Sequence, residues 1–169
     1  NIGVMGRALE FEEPQKVYGD FAASLGMPVA RPRGHTIPMG GFSRPVIGRR
    51  TILVGDAAGF ADPFHGEGMG NAILSGKLAA AAIVAGIRGK KDALTWYQEE
   101  CDRLIVKEMR IALSLTQMLE NYPELSRSIF FSNAKALDKY LDIPAGKATY
   151  AQFRKWLLPR LPKYLLASL

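Results

Sequence analysis

The run Thr51-Ile-Leu-Val-Gly-Asp56-Ala-Ala-Gly-Phe-Ala-Asp-Pro63-Phe-His-Gly66-Glu-Gly68-Met-Gly70 constrains this chain more than any other segment. Thr51 to Val54 is continuous, apolar and β-prone, the pattern of a buried strand. An Asp follows, then a glycine-rich loop, then an Ala-rich helical pattern from about Gly68 to Ala85. Such a layout gathers one carboxylate and several backbone N–H groups at one point. In open α/β sheets ligands bind beyond the carboxyl ends of strands, which is where Asp56 falls. Asp56 can accept hydrogen bonds from a polyol or ribose. Gly55 and the run Ala57-Ala58-Gly59 leave room for a ligand to approach. The N–H groups of Gly66, Glu67, Gly68 and Met69, at the helix start, lack intrahelical partners and favour negative charge. A purely structural strand–loop–helix turn, with Asp56 capping its own loop, is the competing reading.

The remaining pattern is mostly helical. Ile2 to Met5 reads as a short strand, and Glu10 to Leu25 has helical apolar spacing. Arg31 to Arg50, with four glycines and three prolines, reads as a winding loop. In the Gly68–Ala85 helix, Met69, Ile73, Ala80, Ile83 and Val84 recur at helical steps, and Ile87 continues them. The rest is Ala and Gly, so burial on most sides is expected. Further helices are expected over Asp92 to about Glu120, over Pro123 to Leu141, and in a last region interrupted by Pro159 and Pro162. A lone central strand leaves backbone groups unpaired. The simplest resolution is an α/β parent fold, with this chain as a mostly helical C-terminal fragment carrying a few short strands. The expected divisions are 1–50, 51–89 and 90–169.

Composition narrows the classes. At 169 residues and 48% hydrophobic content the chain can bury a real core. No apolar run approaches bilayer length when counted from Leu78 to Ile87, and no signal peptide is visible. A single cysteine, Cys101, excludes an internal disulfide and an iron–sulfur cluster within the chain. It fits a reducing, cytoplasmic compartment and reads as a buried structural thiol. The net charge is +6. From Lys147 onward every charged side chain is basic: Lys147, Arg154, Lys155, Arg160 and Lys163. A solvated helical face and peripheral membrane contact are both open for this tail. No nucleic-acid module accompanies it. His35 and His65 do not form a metal site, and no P-loop, GxSxG elbow or GxGxxG is present. His65 near Asp62 reads as an ordinary loop histidine, with proton carrier as the alternative.

Gly55-Asp56-Ala-Ala-Gly59, Pro63, Gly66-Glu67-Gly68-Met69, Ala72 and Ser75-Gly76-Lys77-Leu-Ala-Ala80 resemble the second flavin-binding motif of the geranylgeranyl reductase family. Those proteins are FAD enzymes of the p-hydroxybenzoate-hydroxylase-like superfamily. The resemblance covers Asn1 to about Tyr97. It implies a parent fold of the FAD/NAD(P)-binding type, with 1–50 closing a substrate-binding domain and 51–89 closing the FAD-binding domain. It places the Asp56 carboxylate on the ribityl or pyrophosphate region of FAD, with Gly55 and Ala57 among the cofactor-binding residues and Pro63 beside the ring. The backbone of Gly66, Glu67, Gly68 and Met69 would then face the flavin N1–C2=O2 edge. The implied activity is saturation of C=C bonds in geranylgeranyl chains of a lipid or a (bacterio)chlorophyll precursor, with NADPH or a ferredoxin-type protein as electron donor. No catalytic acid is singled out. A related flavin monooxygenase, an electron-transfer flavoprotein–quinone oxidoreductase, and a helical membrane-surface module are the alternatives. The family's first FAD motif is absent, so the isolated chain is expected to bind FAD weakly or not at all.

Overall fold

The computed structural model describes residues 4, 13–29, 31–40, 44–131 and 134–167. The strand expected over Ile2 to Met5 lies outside them, apart from Val4. The chain divides into two units, 1–37 and 38–169. In the first, helix α1 spans Pro14–Ser24, with Pro14 at its first turn, where a missing N–H costs nothing.

The second unit carries the motif. Its helices are α2 (Met69–Ile87), α3 (Ala93–Cys101), α4 (Lys107–Asn121), α5 (Pro123–Phe131), α6 (Ala134–Leu141), α7 (Tyr150–Leu157) and α8 (Leu161–Ala167). The single long helix expected from Asp92 is realised as α3 and α4 joined by a π-helical turn, Asp102–Val106. That turn adds a residue to the register and sets Ile105 and Val106 both inward. Pro159 does not stop the last helical region. It sits in a 3-10 turn, Leu158–Arg160, from which α8 continues. Thr149 begins α7 through a capping box with Gln152.

The expected buried strand at Thr51 to Val54 is corrected. The segment takes part in a single antiparallel bridge, Ile47 with Ile52, and Thr51 and Val54 are exposed. No ladder runs along it among the described residues, and helix side chains satisfy its neighbourhood instead. The Tyr97 hydroxyl donates to the Leu53 carbonyl at 2.6 Å, and Val46 N–H donates to Gln98 Oε1 at 2.9 Å. Leu53 N–H returns to the Val46 carbonyl at 2.8 Å. Burial of the Tyr97 ring, together with its hydrogen bond to Cys101, pushes its hydroxyl well above the ordinary phenol range.

The expected burial of α2 on most sides is also corrected. Ser75, Ala79 and Ala82 are its buried residues, whereas Met69, Ile73, Ile83, Val84 and Ile87 are exposed. Within the described residues α2 packs mainly on α3 and on the turn at Gly55, and Leu74 and Leu78 are its large residues that reach the core. Taken whole, its 19 residues are long and apolar enough to cross a membrane by length and composition. The shorter run counted from Leu78 understated this, because Lys77 interrupts the apolar sequence without interrupting the helix.

Two cores result. Val46, Phe60, Ala82, Tyr97, Cys101 and Ile105 centre the first, under the motif. Leu115, Ile129, Phe153, Leu157 and Tyr164 centre the second, among the C-terminal helices. Cys101 is fully buried in the first, and burial raises its thiol pKa, as befits a structural thiol.

Candidate functional site

Gly55–Ala58 forms a 3-10 turn, directly after extended Val54. Gly55 adopts φ +52°, and a Cβ there would lie 2.9 Å from the Cβ of Ala72, so the turn touches α2 where only glycine fits. Its N–H donates to the fully buried Ser75 hydroxyl at 3.0 Å, and that hydroxyl donates in turn to the Asn71 carbonyl at 2.7 Å. One turn earlier on α2, Asn71 Nδ2 donates to the Phe60 carbonyl at 2.9 Å. Two polar residues on one helical face therefore hang the turn on α2.

This construction leaves Asp56 exposed while Gly55 and Ala58 are buried. A Cβ on Gly68 would stand 2.7 Å from Asp56 Oδ1. The glycine thus opens the space in which the carboxylate lies, beside the start of α2. The Arg44 guanidinium donates to the Ala57 carbonyl at 3.0 Å and brings positive charge to the same turn. The structure therefore brings Gly55, Asp56, Ala57 and Gly68 together.

The helix start is not an open set of donors. Glu67 Oε1 accepts the N–H of Met69 at 2.7 Å and of Gly70 at 3.2 Å. A side chain of the motif already fills the role assigned to a ligand's negative edge. Met69 itself is exposed.

Pro63 faces the C-terminal helices as well as the loop. Its carbonyl accepts from the Thr116 hydroxyl of α4 at 3.2 Å. Next to it, Asp62 is buried, and its Oδ1 accepts from Phe64 N–H at 2.7 Å, His65 N–H at 3.2 Å and the Tyr150 hydroxyl of α7 at 3.0 Å. His65 Nε2 stands 3.6 Å from Asp62 Oδ2, and His65 Nδ1 accepts Glu67 N–H at 3.3 Å. Both ring nitrogens are engaged within the loop, which is the ordinary role expected of His65. The Phe64 ring lies 4.9 Å from that of Tyr140. Burial first, then the charge and hydrogen bond of Asp62, push the Tyr150 hydroxyl far above its ordinary range. Burial and the Asp62 charge raise Tyr140 in the same direction.

Sequence reasoning passed over Arg44, Asn71, Asp62 and Tyr150 as site-building residues. Asn71 and Ser75 had a local signal, being polar residues four apart on an otherwise apolar helix. Tyr150 had none, since its partner lies far away along the chain.

Digeranylgeranylglycerophospholipid reductase 1 of Methanothermobacter thermautotrophicus is 31% identical over 134 residues, covering 76% of this chain and 32% of its own length. The chloroplastic geranylgeranyl diphosphate reductase of Oryza sativa is 40% identical over 84 residues, covering 47% of this chain and 18% of that enzyme. Menaquinone reductase of Mycolicibacterium smegmatis is 37% identical over 84 residues, covering 47% of this chain and 20% of that enzyme. The chain is related to these reductases. It spans about a third of the length of the first and about a fifth of the other two. No family model matches, and no solved structure matches.

Proposed function

We propose that the chain supplies one part of an FAD site in a reductase that saturates C=C bonds of geranylgeranyl chains. The observation that carries this reading is the exposed Asp56 carboxylate in the space opened by Gly68, in a chain related to two geranylgeranyl reductases. The residues fit the cofactor's polyol arm: Asp56 is an acceptor for hydroxyls, and Arg44 at Ala57 offers a cation for a nearby phosphate. Bound FAD supplies the hydride chemistry. The protein's own part is to hold Asp56 on the arm, to keep Pro63 beside the ring through Thr116, and to present the α2 start to its polar edge. Glu67 must turn outward before the Met69 N–H can serve that edge.

The parent architecture under this reading is an α/β fold of the FAD/NAD(P)-binding type. Its electron donor is NADPH or a ferredoxin-like protein, and the prenyl chain is carried by a lipid or a chlorophyll precursor. The exposed Leu158 and Leu165 beside Arg154, Lys155 and Lys163 suit peripheral contact with anionic lipid, where such a substrate resides. The Methanothermobacter and rice relatives favour a prenyl substrate. The menaquinone reductase relative favours a second reading, in which a quinone is reduced.

The test uses the full-length protein. Stoichiometric bound FAD and mass gains of one H2 per reduced double bond on a geranylgeranyl substrate are expected. Purified protein without flavin, or flavoprotein that reduces only quinone, would overturn the prenyl reading.

A further inference from the structure

We propose that Tyr150 is a positioning residue for the cofactor loop, setting residues 62–67 and the start of α2 through the buried carboxylate of Asp62. This deepens the flavoprotein reading and rests on it.

The bonds around Asp62 fall into two kinds. Those from Phe64 and His65 N–H are local and fold the loop on itself, as an Asp in a turn does unaided. The loop closes further through Asp62 N–H to the Glu67 carbonyl at 2.7 Å and Gly66 N–H to the Asp62 carbonyl at 2.9 Å. None of these bonds fixes where the folded loop sits. The Tyr150 bond comes from 88 residues away and joins the loop to α7. Tyr150 also stacks on His65, with ring centroids 6.2 Å apart.

From Asp62 the connection runs onward. His65 stands with Nε2 3.6 Å from Asp62 Oδ2, and its Nδ1 accepts the Glu67 N–H at 3.3 Å. Glu67 in turn holds the Met69 and Gly70 N–H groups. Beside the Thr116 bond from α4 to the Pro63 carbonyl, the Tyr150 hydroxyl therefore ties α7, through Asp62, to the residues expected to meet the cofactor.

A buried carboxylate is costly to keep where apolar packing would serve. Phe at this position would preserve the ring contacts and lose only the direction given to Asp62. The other ionisable groups around this pair are His65, Tyr140 and Glu108, whose Oε2 accepts Ala151 N–H at 3.1 Å beside Tyr150. None of them supplies a second hydroxyl bond to Asp62.

The test compares wild type, Tyr150→Phe and Asp62→Asn in the full-length protein, with two readouts: FAD titration by fluorescence quenching, and amide exchange of the apo-protein. Tyr150→Phe is expected to weaken FAD binding about tenfold, the scale of one hydrogen bond to a charged acceptor. Exchange at Phe64, His65 and Glu67 should rise about as much, with the amides of α3 and α4 unchanged. Asp62→Asn, which keeps an acceptor for all three donors, should lie between wild type and Tyr150→Phe. Unchanged loop exchange in Tyr150→Phe would overturn the inference, and so would exchange raised equally throughout the C-terminal helices. Wild type that binds no FAD would defeat the flavoprotein reading, and loop exchange would still decide the role of Tyr150.

Discussion

Ser75 accepts the N–H of Gly55 at 3.0 Å, so the turn that presents Asp56 is suspended from the second turn of α2. The contact is buried. Ser75→Ala leaves a buried N–H unsatisfied, at a cost of about 1–3 kcal/mol. Urea denaturation should show a lower midpoint with an unchanged slope. A variant as stable as wild type would mean that the turn finds another acceptor.

The motif was legible in the sequence because its chemistry is local. Gly55, Asp56, Gly66 and Gly68 declare a tight turn and a helix start through spacing alone. The helices were legible too, since Tyr97 and Cys101 fall on one apolar face, with Ala93 completing it in the structure. The failures are non-local. Thr51 to Val54 has strand composition, but pairing depends on a neighbour, and here Tyr97 and Gln98 take that place. The face of α2 that carries Ile73 and Val84 reads as core, yet burial depends on what packs against it. Glu67 reads as a backbone donor at the helix start, whereas its carboxylate accepts the Met69 N–H. The Tyr150 bond to Asp62 spans 88 residues, and nothing near Tyr150 announces it.

Gly68 adopts φ −133°, a conformation open to any residue, so Gly68→Ala adds no backbone strain. The new methyl would instead push the Asp56 carboxylate from its place. In the full-length protein this variant should keep its melting temperature and lose FAD affinity by about tenfold, comparable to one lost charge-assisted hydrogen bond. Asp56→Ala should match it, and the double variant should be no worse than either single one. Independent, additive losses would show that the methyl acts elsewhere.

Glu67 faces two demands. Its carboxylate caps the first N–H groups of α2, and under the flavin reading it also stands where the reduced cofactor would carry negative charge. Glu67→Gln should destabilise the protein by about 0.5–1 kcal/mol through the weaker cap, and less at high salt. The same change removes a repelling charge, so the midpoint potential of bound FAD should rise by on the order of 20 mV, the two-electron equivalent of about 1 kcal/mol. Spectroelectrochemical titration separates the two effects. A potential that falls would place the Glu67 carboxylate away from the cofactor.

Alkali should act on the two buried tyrosines. The Tyr97 and Tyr150 hydroxyls are both raised, chiefly by burial. A group raised on folding contributes stability that is fully present below its unfolded pKa, about 10 for tyrosine. Above that pH the unfolded chain ionises first and binds fewer protons than the folded one, so stability falls as pH climbs toward the folded values. Each such tyrosine adds up to about 1.4 kcal/mol of loss per pH unit in that window. Urea unfolding between about pH 9 and 11 should therefore steepen above 10, and Tyr150→Phe should remove part of the slope while leaving the Tyr97 share. An unaltered slope in Tyr150→Phe would show that its hydroxyl ionises in the folded protein as readily as in the unfolded chain, contrary to its burial against Asp62.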